Sequence, residues 1–161
     1  MKTSSRLVVV AGILIGLGVG GLFDGIVLHQ ILQWHHLICR DDTCTPLTVE
    51  QFERQTLADG LFHAGCWMFL VTGVVRLATA RPLPEPIGRP LLGAAVLGWG
   101  VFNVVEGVVN HHLLGIHHVR MGPNKLLWDL AFDAWGLAMI AGGWWTIRRV
   151  YRPDPTDQPG V

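Results

Sequence analysis

Four long apolar stretches limit what this chain can fold into. They run from about Leu7 to Gln33, Leu57 to Thr79, Leu91 to Leu114 and Leu126 to Ile147. Each approaches or exceeds the ~20 residues that an α-helix needs to cross a bilayer. Half of all residues are hydrophobic and only 15% are charged. Mean hydropathy is +0.40. That composition suits a membrane protein and excludes an ordinary soluble domain. With a formal net charge of zero, no nucleic-acid partner is expected. The predicted fold class is all-α: a four-transmembrane-helix, up-down-up-down bundle over residues 1–150, with 151–161 a disordered cytoplasmic tail. The first stretch follows Lys2 and Arg6 as a signal peptide would. It is too long for one, lacks an A-x-A site and carries Asp24, so it reads as a retained helix.

The connections are short. "ARPLPEPIGRP" (80–90) is too proline-rich to be helical throughout. "TVEQ" (Thr48 to Gln51) fits a capping box, so the second helix is expected to start early, along the surface. Asn124, after Gly122-Pro123, is placed to cap the fourth helix. No sequence repeat is evident. Gly12, Gly16 and Gly20, and Gly21 with Gly25, have the small-xxx-small spacing of close helix packing.

Positive charge predicts the orientation. Lys2, Arg6, Arg76, Arg81, Arg89, Arg148, Arg149 and Arg152 fall on one side. Arg40, Arg54, Arg120 and Lys125 fall on the other, with Asp41, Asp42, Glu50 and Glu53. Both termini are therefore expected in the cytoplasm of a bacterial inner membrane, and the loops 37–56 and 115–125 outside.

On this topology the polar residues within the spans gather at the outer end. Span one brings Asp24 and His29, then His35 and His36. Span two brings Asp59 and His63. Span three brings Asn103, Glu106 and Asn110, then His111, His112, His117 and His118. Span four brings Asp129 and Asp133. An ionisable group near the middle of a span costs about 2.5–3.5 kcal/mol on insertion scales, so such groups must pair, bind something or line water. At 100° per residue Asp59 shares a face with His63, Asp129 with Asp133, and Asn103, Glu106 and Asn110 form one stripe. Asp24 and His35 fall about 20° apart, as do His29 and His36, giving helix one two polar faces.

Neutral imidazole is the commonest metal ligand, and carboxylates join it for Zn, Fe or Mn. Helix bundles also build metal sites from Glu and His on facing helices. The expected cofactor is a metal ion (Zn, Fe or Cu, unresolved), held by a set drawn from His29, His35, His36, His63, Glu106, His111, His112, His117 and His118. Asp24, Asp59, Asn103, Asn110, Asp129 and Asp133 are alternative ligands or partners that orient the imidazoles. Adjacent histidines point about 100° apart on a helix, so only one of each pair need face the core. Gly115 is expected to turn the chain, folding His117 and His118 back over the bundle mouth. Haem between two facing histidines, and a metal-free network of ion pairs, are the competing readings. Cys39 and Cys44 are disulfide candidates in an outward loop, and Cys66 a packing residue.

The segments "GLFDGIVLHQILQWHH", "LFHAGCW", "GWGVFNVVEGVVNHHLLGIHHVR" and "WDLAFDAWG" resemble an uncharacterised bacterial family of four-span integral membrane proteins, a domain of unknown function. The likeness covers nearly all of residues 15–145. It takes in Asp24, His29, His35, His36, His63, Asn103, Glu106, His111, His112, His117, His118 and Asp129, while the cysteines lie outside its pattern. It implies a membrane location and supplies no activity. Membrane desaturases and hydroxylases are similar in histidine number, but their H-x3/4-H and H-x2/3-H-H boxes differ from H-x5-H-H and H-H-x4-H-H here.

The functional expectation is a metal-dependent membrane oxidoreductase or hydrolase with its site near the extracytoplasmic face. A metal carrier, chaperone or channel serving a respiratory oxidase, a haem electron carrier, and a structural subunit of a larger complex or homo-oligomer are the alternatives.

Overall fold

The structure, a computed structural model, describes residues 3–39, 44–46, 48–80, 83 and 87–152. It is all-helical among these residues. Helix α1 (Thr3–Phe23) runs into a π-helical segment, Asp24–Ile31. Helix α2 (Val49–Thr79) returns. Helix α3 (Gly88–Glu106) runs into a second π-helical segment, Gly107–Leu113, and α4 (Lys125–Val150) returns again. Four helices, Ser4–Ile31, Val49–Thr79, Gly88–Leu113 and Lys125–Val150, are long and apolar enough to cross a membrane. The early start of α2 is the one expected from its capping box, with Thr48 Oγ1 accepting from Gln51 N–H at 3.2 Å. Asn124 occupies the N-cap position of α4, but its side chain makes no capping bond there.

Small residues set the packing. Helices α1 and α3 lie side by side and parallel: a Cβ on Gly12 would meet Ala94, and one on Gly20 would meet Trp99. Helix α2 packs antiparallel on α1, and α4 antiparallel on α3. Among the described residues the backbone of α2 stays apart from those of α3 and α4, and the backbone of α4 from that of α1. The bundle is therefore two helical hairpins joined back to back through α1 and α3, rather than a closed ring of four.

Those hairpins are copies of one another, which corrects the reading that no repeat exists. Set "DGIVLHQILQWHH" (Asp24 to His36) beneath "EGVVNHHLLGIHH" (Glu106 to His118). Asp24 falls on Glu106, Gly25 on Gly107, His29 on His111, and His35-His36 on His117-His118. The packing repeats in step. A Cβ on Gly18 would strike Cys66 O and Leu70 N at 2.6 Å, and one on the equivalent Gly100 would strike Gly136 O at 2.5 Å and Ile140 N at 2.8 Å. Gly73 packs on Ala11 and Ile15; Gly143 packs on the equivalent Gly93 and Leu97. The repeats are parallel, so a pseudo-twofold axis runs along the helix direction between α1 and α3.

At one end of the molecule Arg148 and Arg149 lie over Trp144 and Trp145. At the other, Cys39 and Cys44 form a disulfide with Cα atoms 5.2 Å apart. Cys66 is buried between helices. Of the disordered tail expected over 151–161, residues 153–161 lie outside the described residues.

Candidate metal centre

The π-helical segments create the site. In an α-helix Asp24 and His29, five residues apart, would point about 140° from each other. A π-helix bonds i to i+5 and brings such a pair onto one face. Leu32 N–H donates to Val27 O at 2.8 Å, and Leu114 N–H to the equivalent Val109 O at 2.8 Å. As a result His29 Nε2 comes within 3.0 Å of Asp24 Oδ2, and His111 Nε2 within 3.1 Å of Glu106 Oε1.

Each segment then ends in a left-handed residue, Gln33 (φ 51°) and Gly115 (φ 56°), which reverses the chain. Gly115 adopts this conformation at no steric cost, whereas Gln33 is held there by the surrounding fold. The reversal carries His35 and His117 back over the bundle. His35 Nε2 lies 3.9 Å from Asp24 Oδ2, and His117 Nε2 lies 2.7 Å from Glu106 Oε1. Two buried triads result, Asp24–His29–His35 and Glu106–His111–His117, with one potential ligand atom from each residue within 4.8 Å of the others in its set. They meet at the axis, where His35 and His117 stack with ring centroids 4.6 Å apart.

The opposite ring nitrogens are anchored, each half holding the other. His35 Nδ1–H donates to Val119 O at 2.8 Å and His117 Nδ1–H to Leu37 O at 3.0 Å. A backbone carbonyl only accepts, so Nδ1 carries the proton in both rings. In the neutral ring Nε2 then presents a lone pair to the triad. Burial, and the neighbouring His117 and His29 imidazoles, hold His35 well below the ordinary histidine range, so its ring is neutral.

Asp59 and Asp129 play equivalent parts on α2 and α4. Asp59 accepts from His29 Nδ1–H at 3.0 Å, His36 Nδ1–H at 2.7 Å, Gln30 Nε2–H at 3.1 Å and Leu37 N–H at 2.8 Å. Asp129 accepts from His118 Nδ1–H at 2.6 Å and Val119 N–H at 2.9 Å, and lies 3.4 Å from His111 Nδ1. Both carboxylates are buried. They clamp the reversed loops and orient the rings, as carboxylates do behind metal-bound histidines.

The other sequence candidates lie outside the triads. His36 and His118 turn to Asp59 and Asp129. His112 is exposed and pairs with Asp133 at 2.8 Å. His63, the positional equivalent of Asp133, sits against Gly25 as Asp133 sits against Gly107. Asn110 bonds Glu106 Oε1 at 3.4 Å. Asn103 is buried, with its Cβ against Gly136 of α4. The carbonyls of Leu37 and Val119, which fix two tautomers, were not among the candidates. The doubled "HHL" and "HHV" ends were the available signal for them.

Residues 11–150 match the family described as "Predicted membrane protein (DUF2243)". The chain belongs to that family. No curated protein and no solved structure matches it.

Proposed function

We propose that this member of DUF2243 is a membrane metalloprotein, a metal-dependent oxidoreductase or hydrolase, with one ion in each triad and the two ions adjacent across the axis. One observation carries the reading. His117 has its proton on Nδ1, yet its Nε2 lies 2.7 Å from Glu106 Oε1. A lone pair facing a carboxylate oxygen at that distance requires a shared proton or a metal ion bound by both groups. His29 Nε2, His35 Nε2, His111 Nε2 and Asp24 Oδ2 are also buried without a hydrogen bond, despite separations as short as 3.0 Å.

Two imidazoles and a carboxylate leave coordination positions open, as at catalytic zinc and at non-haem iron centres that activate water or dioxygen. The triads suit bare ions better than haem, because stacked imidazoles fill the space a macrocycle would need. The proton is the competing cation, and it would make the site a metal-free network. The bias of Lys and Arg puts both termini in the cytoplasm and the site near the extracytoplasmic face.

Elemental analysis of the purified protein, before and after reloading with Fe(II), Zn or Cu, tests the reading. Bound transition metal that is lost on replacing His29 and His111 supports it. Protein that stays metal-free through reloading contradicts it. A chelator added to intact cells checks the orientation, since an outward site is stripped and a cytoplasmic one is spared.

A further inference from the structure

The two halves are not identical along their flanks, and the difference opens a path to the metal centre. Because the backbones of α1 and α4 stay apart, a groove runs between them with α3 as its floor. It encloses about 260 Å³. Its walls are aromatic: Phe23, Trp34, Trp99, Trp128, Phe132 and Trp135. Trp135 and Phe23 are 62% and 47% exposed on the surface of the spans, so the groove faces the hydrocarbon rather than water. At its upper end Arg120 lies 5.3 Å from the Trp34 ring and 5.6 Å from the Trp128 ring.

Two polar side chains line this apolar groove, Asp24 and Asn103, each only 3% exposed. Asp24 Oδ2 makes no well-aligned hydrogen bond, although His29 Nε2 lies 3.0 Å from it. Such groups are costly to bury in a membrane unless something hydrogen-bonds to them. Across the axis the corresponding groove, between α2 and α3, is plugged. Phe102 stands there at the position of Gly20, its ring 6.0 Å from that of Phe62. Gly20 keeps the α1–α4 side open, and Leu17 on the plugged side corresponds to Trp99 on the open one.

We propose that this groove binds a membrane-dissolved amphiphile with a flat, hydroxylated ring head, a quinol-type lipid. The ring lies between the tryptophans, its hydroxyl donates to Asp24, its second oxygen faces the Asn103 amide, and its tail leaves past Phe23 and Trp135. Flat walls favour a ring over a flexible chain. The volume, just below that of a drug-sized pocket, fits one ring and not a phospholipid headgroup with two chains. The proposal deepens the metal-centre reading, because Asp24 belongs to a triad and its ligand would meet the ion there.

The test uses the metal-loaded full chain in micelles, with a decyl-substituted benzoquinol as the probe and tryptophan emission as the readout. Saturable quenching is expected. Its Kd should rise at least tenfold in Ala131→Phe, which fills the groove from its exposed wall, and in Asn103→Leu, with metal content equal to wild type in both. Decanoic acid should not compete. Quenching that never saturates, an unchanged Kd in Ala131→Phe, or equal competition by decanoic acid overturns the proposal. Saturable, Ala131→Phe-sensitive binding to a protein that takes up no metal would leave the groove standing and sink the metal centre instead.

Discussion

His35 and His117 stack across the pseudo-twofold axis with their planes 9° from parallel. Each ring hangs from a backbone carbonyl of the opposite half. Each triad lies within one hairpin but takes the anchor of one of its rings from the other, so the halves are expected to load metal as a unit. Replacing His111 with Ala should lower metal content to one ion per chain or fewer, and should also weaken the Asp24 triad. Loss of one ion with unchanged affinity at the other would show that the triads are independent. Metal titration of wild type and variant distinguishes these.

Asp59 and Asp129 hold the imidazoles by their far nitrogens. Asp59→Asn keeps the shape but removes the charge that orients His29 and His36. Metal affinity should fall about 10–100-fold, as for other partners behind metal-bound histidines. His112→Ala, at an exposed pair outside the triads, should leave affinity within twofold. Competition with a chromophoric chelator measures both.

Gly16 and Gly98 sit where α1 and α3 touch, and a Cβ at either would strike the facing backbone at Ala95 or Ile13. Gly16→Ala and Gly98→Ala should each destabilise the fold by about 1–3 kcal/mol, the usual range for overpacking. Gly65 and Gly142 have open space around their Cβ positions. Alanine at either should be neutral or stabilising by about 0.5–1 kcal/mol, since glycine is a poor helix former. Denaturant unfolding in micelles reads all four.

His35 is neutral in the fold because burial holds its pKa well below the ordinary value of 6.5. The unfolded chain protonates there and the folded one does not. Below about pH 6.5 this residue therefore favours unfolding, by up to ~1.4 kcal/mol for each further pH unit. In chelator-treated protein, His35→Gln should flatten the loss of stability between pH 6.5 and 5. An unchanged slope would mean that the ring is already charged in the fold.

The spans, and the gathering of polar groups at one end, were legible because apolar length and the cost of buried charge are properties of sequence alone. That one imidazole of each pair would face inward was expected from the divergence of adjacent side chains, but which one was not legible. The pairings Asp24–His29 and Glu106–His111 were not legible, since an α-helical period separates residues that a π-helix unites. The duplication was hidden because the loop before α2 is longer than the loop before α4, so no single shift aligns both helices of the two hairpins. His63 drew attention as a histidine within a span beside Asp59. Only the alignment of α2 with α4 reveals that its counterpart is Asp133, outside the triads.

The central claim rests on what stands between His117 Nε2 and Glu106 Oε1. X-ray absorption at the metal edge, on protein purified from native membranes with metal quantified per chain, tests it most directly. The account predicts two ions per chain, each with two imidazole ligands and at least one oxygen ligand, and a metal–metal distance of about 3.5–4 Å as in two-metal sites. Stoichiometric protein without metal, or a single ion in an environment free of imidazole, would contradict it.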